Sequence, residues 1–139
     1  MSEQVAPEEL YRRFIEFLNG RQYDQMDTVM VSDFVDHHPG LVDVANLQVY
    51  KDNVAYVIGA LEMEAFPEHI VPAGDKVFTR VRLTGKHVGQ FFGVPPSGNQ
   101  LEWYTHELWR VEGGKMVERW AVDDLYSLLK QMGVALPSW

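Results

Sequence analysis

The sequence predicts an α+β domain in which helices pack on one face of a largely antiparallel sheet. Apolar residues recur at helical spacing between residues 10 and 61. After residue 68 the chain alternates between apolar and polar side chains, is rich in β-branched residues and is interrupted by Gly and Pro. The chain has 139 residues, no internal repeat and no low-complexity linker. We therefore expect one domain over residues 1–139.

The first and third predicted helices have clear boundaries. Helix one begins near Pro7, a residue tolerated in a first turn, and ends at Gly20. Helix three uses Asn46 as its N-cap and extends to Phe66. One apolar stripe predicts that helix one covers a sheet, and its members are Leu10, Phe14, Phe17 and Leu18.

The segment between these helices is predicted as a second short helix over residues 23–35. It runs into a break at residues 36–40, where a His-Pro-Gly sequence disfavours helix. A loop without a regular pattern follows at residues 41–45. The predicted elements of the C-terminal half are a hairpin at residues 69–85 with its turn at 73–75, a loop at 89–98, a hairpin at 103–123 and a helix at 125–132.

The turn of the final hairpin decides which side chains share a face. A two-residue turn at Gly113-Gly114 places His106 on the face of Asp123, whereas a three-residue loop with a Gly bulge places it on the face of Asp124. We favour the bulged form, because Glu-Gly-Gly fits a type I turn followed by a left-handed Gly.

Composition excludes several functional classes. Asp and Glu number 20 against 12 Lys and Arg, for a net charge of -8, and no run of basic and aromatic residues could follow a nucleic acid backbone. The absence of Cys excludes a disulfide scaffold, a thiolate nucleophile and Cys-ligated zinc. Without a leader pattern or an apolar run of about 20 residues, we expect a cytoplasmic protein that binds neither nucleic acid nor membrane. No His spacing typical of a metal site and no nicotinamide or flavin motif is present, so we expect neither metal nor cofactor.

Several blocks, in order and spacing, resemble the SnoaL-like polyketide cyclase family within the nuclear-transport-factor-2-like folds. They span about three quarters of the chain, which makes the resemblance more specific than any short motif. The blocks are residues 35–40, 73–77, 84–89, 93–98 and 114–120, then Asp124 followed by residues 131–133.

The resemblance implies a fold and a reaction. The fold is a cone-shaped barrel of a strongly bent, mostly antiparallel sheet, closed by three N-terminal helices and followed by a short C-terminal helix. Members are usually homo-oligomers, here a dimer or tetramer, and bind an aromatic polyketide in an apolar cavity. Family cyclases in antibiotic biosynthesis use the Asp of a Trp-x-x-x-Asp motif as general acid and base in an intramolecular aldol ring closure, without a metal. Trp120 and Asp124 supply that spacing here.

Asp124 is therefore the first catalytic candidate. An ordinary Asp, with a pKa of about 3.9, is a weak base at neutral pH, but desolvation in an apolar cavity raises the pKa. Positioned proton transfer then contributes roughly 100- to 10,000-fold. The alternative is that Asp124 caps the final helix, which the spacing alone favours and the resemblance disfavours.

The other candidates are weaker. His106 is the second catalytic candidate, and its alternative is a hydrogen bond to a neighbouring strand or to water. His38, next to a Pro, is expected to be exposed. The candidates for substrate binding, each of which could instead serve the core or a loop, are His37, His87, Trp103, Trp120 and Phe66, and Phe91 and Phe92 rank with Phe66.

Three functions follow from these observations. The first is a cofactor-independent cyclase that closes a ring in a polyketide β-keto ester. The second is a SnoaL-like hydroxylation protein that works with a reductase, and the third is a non-catalytic ligand-binding domain, since one fold hosts many functions. A solvent-facing Asp124 would argue against its catalytic role.

Overall fold

The structure is a computed structural model that describes residues 5–38 and 43–138. Its elements in chain order are α1 (Pro7–Asn19), a 3₁₀ helix (Tyr23–Thr28), β1 (Met30–His37), α2 (Leu47–Leu61), β2 (Glu64–Ala73), β3 (Lys76–Lys86), β4 (Gln100–Glu112), β5 (Lys115–Asp123) and α3 (Leu125–Gln131).

The strands form one five-stranded sheet in the order β1-β5-β4-β3-β2. β2, β3, β4 and β5 pair antiparallel with their neighbours, whereas β1 runs parallel to β5. The α+β prediction is confirmed, with a mixed sheet that is not closed among the described residues. None of the helices described is long and apolar enough to cross a membrane.

α1 and α2 share one apolar core with the sheet. Its centre is Trp109 of β4, which has no exposed surface. The ring of Trp109 lies 4.8 Å from the ring of Phe14 and 5.7 Å from the rings of Tyr11 and Phe34. One face of the sheet is thereby buried under helices, which we call the inner face; the opposite face is the outer face.

The first and third helices were predicted correctly at their N-terminal ends. α1 begins at Pro7, and α2 begins after Asn46, whose side chain accepts a hydrogen bond of 3.1 Å from the backbone N–H of Val49. α2 ends at Leu61 rather than near residue 66, because Glu62 adopts a left-handed conformation (φ 46°) and β2 begins two residues later. Gly85 of β3 passes so close that a Cβ there would lie 2.0 Å from the carbonyl oxygen of Leu61.

The predicted helix over residues 23–35 is wrong beyond residue 28, where β1 begins instead. Met30 pairs with Met116, and Val35 pairs with Glu118. Between these two pairs β1 advances by five residues, whereas β5 advances by two. This irregularity breaks the two-residue alternation of the strand and spaces its buried residues like those of a helix. The described N-terminal part thus holds two α-helices and one 3₁₀ helix, with a strand between them. Residues 39–42, part of the predicted break and loop, lie outside the described residues.

Both predicted hairpins are present, but the final turn differs from the form we favoured. Glu112 pairs with Lys115, and Gly113 and Gly114 have φ angles of 61° and 81°, which is a two-residue turn of the kind that hairpins prefer. The bulge lies within β5 instead. Val111 pairs with Met116 but Arg110 pairs with Glu118, so that Val117 is the extra residue.

The bulge at Val117 sets the register of the remaining strand. His106 lies opposite Val122, and Thr105 lies opposite Asp123. Because Thr105 is buried on the inner face, Asp123 also turns inward.

Candidate active site

A cavity of about 320 Å³ lies between the helices and the inner face of the sheet. Most of its wall is apolar. Apart from Asn53 and two tyrosines of α2, its polar residues lie on β1, β4 and β5 or directly after β1, and they are Asp36, His38, Thr105, Glu107, Arg119 and Asp123. The cavity therefore has an apolar body and a polar end, as is usual for sites that bind small organic molecules.

Asp123 is the last residue of β5 and forms two hydrogen bonds in the cavity wall. Its Oδ1 lies 3.0 Å from Nε2 of His38, and its Oδ2 accepts a hydrogen bond of 3.1 Å from the indole N–H of Trp103. The side chain is only 15% exposed. Since an ionised carboxylate can only accept, Nε2 of His38 carries the proton in this pair. The site holds a carboxylate and an imidazole in direct contact.

Two opposing effects set the pKa of Asp123. Burial raises it, whereas the hydrogen bond from His38 and the electrostatic interaction with that residue lower it, and the net pKa lies below its ordinary value. Asp123 is therefore ionised at neutral pH and accepts the hydrogen bond from Nε2 of His38.

Arg119 carries the positive charge in the polar part of the cavity wall. Its Nε donates to Oε2 of Glu107 at 2.7 Å, and a terminal amino group donates to Oδ1 of Asp36 at 2.8 Å. The other carboxylate oxygen of Glu107 accepts from the hydroxyls of Tyr11 at 2.8 Å and Thr79 at 2.9 Å. These bonds fix one guanidinium between two carboxylates, all buried.

The charge of Arg119 is secured by its surroundings. Burial lowers the pKa of the guanidinium, but Tyr50 and the two carboxylates raise it, and the result is well above its ordinary value. The polar end thus offers a permanent positive charge whose neighbours already balance it.

Exposed residues in the lining mark the mouth of the cavity. Asn53, Tyr56 and Phe92 line the cavity and are exposed to solvent. Phe91 packs behind them, with its ring 4.5 Å from that of Phe92 and 6.3 Å from that of Tyr56. Aromatic rings therefore border the entrance.

Asp124 lies outside this cavity. It is exposed and caps α3, with its side chain accepting a hydrogen bond of 3.0 Å from the backbone N–H of Ser127. The geometry matches the capping alternative and does not match the expectation of a carboxylate in an apolar cavity. The physical reason is the bulge at Val117, which turns Asp123 inward in its place.

Three further candidates lie on the outer face, away from the cavity. His106 is exposed, and its Nε2 lies 3.0 Å from a terminal nitrogen of Arg80. His37 stacks on the ring of Trp120 at 5.3 Å. His37 also contacts Glu118, at 2.7 Å between Nε2 and Oε2. None of the three contributes to the wall of the cavity.

Phe66 and His87 are also absent from the cavity wall. Phe66 is exposed on β2, and the guanidinium of Arg82 lies over its ring at 4.8 Å from the ring centroid. His87 is fully buried, and its Nδ1 accepts a hydrogen bond of 3.1 Å from the backbone N–H of Ser97. Of the candidates named from sequence, Trp103, Phe91 and Phe92 line the cavity.

The sequence did give a signal for the residues that were missed. Thr105, Glu107 and Trp109 follow Trp103 at steps of two, so a strand that buries both Trp residues also buries the polar pair between them. His38 was expected to be exposed, yet its side chain is 14% exposed and faces the cavity. The missed cavity residues are Asp36, His38, Thr105, Glu107, Arg119 and Asp123. Among the residues described, no group of three or more His, Asp and Glu is placed to hold a metal ion.

Comparisons with known proteins agree with this architecture. The model of the SnoaL-like polyketide cyclase family matches residues 8–132. Aklanonic acid methyl ester cyclase AcmA from Streptomyces galilaeus is 28% identical over 142 residues, which covers 99% of this chain and 95% of AcmA.

Solved structures show the same fold. Wild-type IdmH from Streptomyces antibioticus, with a suggested polyketide cyclase role, aligns at a TM-score of 0.82 and 26% identity over 94% of this chain and 100% of IdmH. AclR from Streptomyces galilaeus, with a suggested hydroxylase role, aligns at a TM-score of 0.82 and 24% identity over 95% of this chain and 87% of AclR. The similarity extends over nearly the full length of each protein.

Proposed function

The chain belongs to the SnoaL-like polyketide cyclase family, and from this premise we propose that it closes a ring in an aromatic polyketide β-keto ester by an intramolecular aldol reaction. The observation that carries the proposal is the Asp123–His38 pair in the wall of an otherwise apolar cavity. Asp123 takes the role that the family resemblance implied for Asp124. The name of the relative AcmA, a cyclase for a methyl ester, supports this substrate class.

The proposed reaction begins with loss of a proton from the carbon that lies between two carbonyl groups. The resulting enolate carbon forms a carbon–carbon bond with the carbon of another carbonyl group elsewhere in the same molecule. The oxygen of that carbonyl becomes an alkoxide, which takes up a proton. The product has the mass of the substrate, or that mass less water if dehydration follows. No oxidant or reductant is required.

His38 and Asp123 share the work of proton transfer. Because its pKa is lowered, Asp123 alone is a weak base at neutral pH. Nε2 of His38 donates to Asp123, so the imidazole accepts the substrate proton at Nδ1, and the carboxylate stabilises the imidazolium that forms. The same imidazolium then returns a proton to the alkoxide.

The experiment compares Asp123→Asn with Asp124→Asn, two neighbouring substitutions of the same kind. Each protein is incubated with a tricyclic aromatic β-keto methyl ester without metal or reductant, and product mass and rate are measured. We expect wild type and Asp124→Asn to form a product of unchanged or dehydrated mass, and Asp123→Asn to lose roughly 100- to 10,000-fold in kcat. Equal loss in both variants would overturn the assignment to Asp123.

The same incubation separates the alternatives. A product that gains oxygen, and only when a reductase is supplied, would assign the protein to the hydroxylating branch, the role suggested for AclR. Tight binding of the ester without turnover would assign it to ligand binding. Homo-oligomerisation and a cytoplasmic location remain predictions, and light scattering on the purified protein tests the first.

A further inference from the structure

The loop between β3 and β4 contains a turn that its sequence should disfavour. Phe91 and Val94 form a two-residue hairpin closed by hydrogen bonds of 2.8 and 3.1 Å between their backbones. The two residues of the turn, Phe92 and Gly93, have φ angles of 49° and 73°. Asn-Gly is typical of such a turn, whereas a bulky side chain in the left-handed region is strained. Phe92 therefore occupies a position that Gly or Asn would fill more easily.

Packing among the described residues does not account for this strain. Phe92 is 45% exposed, and its ring meets that of Phe91 edge-on, at 4.5 Å and 63°. Burial of the ring would offset an unfavourable backbone, but nearly half of the residue remains in contact with solvent. Backbone strain of this kind is typical of functional sites.

The surrounding loop holds Phe92 in a defined place. The two ends of the loop are joined by a hydrogen bond from the backbone N–H of Ser97 to Nδ1 of His87. The backbone N–H groups of Val88 and Gly89 both donate to the carbonyl of Ala60 in α2. These bonds fix the loop to α2. The ring of Phe92 is thus presented at the mouth of the cavity, where it forms part of the wall.

We propose that Phe92 is a specificity-determining residue whose ring stacks on a planar aromatic ring of the substrate at the mouth of the cavity. The proposal rests on the proposed function, because it concerns the substrate of that cavity. A bound aromatic ring would supply the contact that the free protein lacks, and aromatic pairs of this kind are favourable beyond the area they bury. Phe92 acts by positioning the substrate and takes no part in proton transfer.

The test measures equilibrium binding of two probes by fluorescence titration. Methyl anthraquinone-2-carboxylate is planar and aromatic, and methyl 3-oxodecanoate is a flexible β-keto ester without a ring. We expect Phe92→Gly and Phe92→Leu to weaken binding of the planar probe by about tenfold. Binding of the flexible probe should change less than about twofold, and Phe92→Tyr should retain wild-type affinity for both. Phe78→Leu, which removes a similarly exposed Phe of β3 outside the cavity wall, is the matched control and should change neither affinity.

A second readout comes from the turn. Because Gly adopts a positive φ without strain, Phe92→Gly should unfold at the same temperature as wild type or higher, while it binds the planar probe less well. A lower melting temperature, or equal loss of affinity for both probes, would assign Phe92 a structural role and overturn the proposal. Unchanged affinity for the planar probe, or no binding of it by wild type, would overturn it as well. The affinity pattern does not depend on turnover, so absence of ring closure would contradict the proposed function alone.

Discussion

On the inner face of β4, Trp103, Thr105 and Glu107 are buried, whereas on its outer face Tyr104 and His106 contact charged groups near solvent. The two faces carry similar residue types, since Trp, His, Arg and carboxylate side chains occur on both. Their environments differ because the helices that the structure describes pack on the inner face. The chemical type of a side chain therefore does not identify a site residue in this hairpin. Its position along the strand does, because alternate residues point to opposite faces of the sheet.

Ion pairs show the same contrast. Arg119 on the inner face has a side chain 9% exposed and contacts two buried carboxylates, whereas Arg110 on the outer face is 31% exposed and contacts Glu112 and Glu118. Water screens the second set of charges and has little access to the first. Substitutions matched across the two faces should therefore differ in effect.

The largest difference is expected between Arg119→Met and Arg110→Met. Removal of Arg119 leaves Glu107 and Asp36 buried without their cation, and we expect a loss of about 3–5 kcal/mol in the free energy of unfolding. Loss of Arg110 should cost much less, because water screens its interactions with Glu112 and Glu118. Urea denaturation of both variants measures the difference, and equal losses would show that the two faces are screened alike.

The second prediction concerns pH. The folded pKa of Asp123 lies below its unfolded value, so the carboxylate stabilises the fold at pH above about 4, and this contribution is lost as the pH falls through the folded pKa. In His38→Gln the pKa of Asp123 should rise, since burial remains and the main lowering interactions are lost. Acid unfolding should then begin at a higher pH than in wild type.

His37→Gln provides the control on the outer face. The hydrogen bond from His37 is the main cause that lowers the pKa of Glu118, but this group is more accessible to solvent. We expect a smaller shift of the acid transition, measured as unfolding free energy between pH 3 and pH 7. A larger shift in His37→Gln than in His38→Gln would contradict the contrast between faces.

A third, smaller effect is expected for Asp124→Ala. Loss of the N-cap of α3 should cost about 1 kcal/mol in the free energy of unfolding, and kcat should stay within about twofold of wild type. Thermal denaturation and steady-state kinetics on one preparation check both parts. A large loss of kcat with unchanged stability would return Asp124 to the catalytic role that the sequence suggested.

The smallest effect is expected for His106→Ala. The side chain is exposed and its described contacts are with Arg80 and Phe78, so stability should change by less than about 0.5 kcal/mol and kcat/KM by less than about twofold. The same kinetic assay tests this directly. A tenfold loss of kcat would restore His106 as a catalytic candidate.

Much of the fold could be predicted because its signals are local. Pro7 and Asn46 mark helix starts through backbone chemistry that does not depend on the rest of the chain. The Gly113-Gly114 turn was likewise located correctly. β1 was missed because its irregular pairing with β5 spaces Met30 and Phe34 like residues on one side of a helix.

The site was harder to predict because it depends on pairing between distant strands. The choice between Asp123 and Asp124 follows from one bulged residue, Val117, which has no distinctive side chain. His38 reaches the cavity because β1 lies beside β5, a parallel pairing that no local pattern indicates. The family resemblance thus implied an apolar cavity, whereas the residues that line it depend on the register of the strands.

The extra residue at Val117 also bears on how such a hairpin can diversify in evolution. A substitution changes one side chain, whereas loss of one residue at this point exchanges the inward and outward sets of the strand beyond it. Such a deletion would turn Trp120 and Asp124 inward and expose Arg119 and Asp123. Single-residue insertions and deletions in β5 are therefore the mutations that can replace the whole lining of this wall in one step, which no single substitution can do.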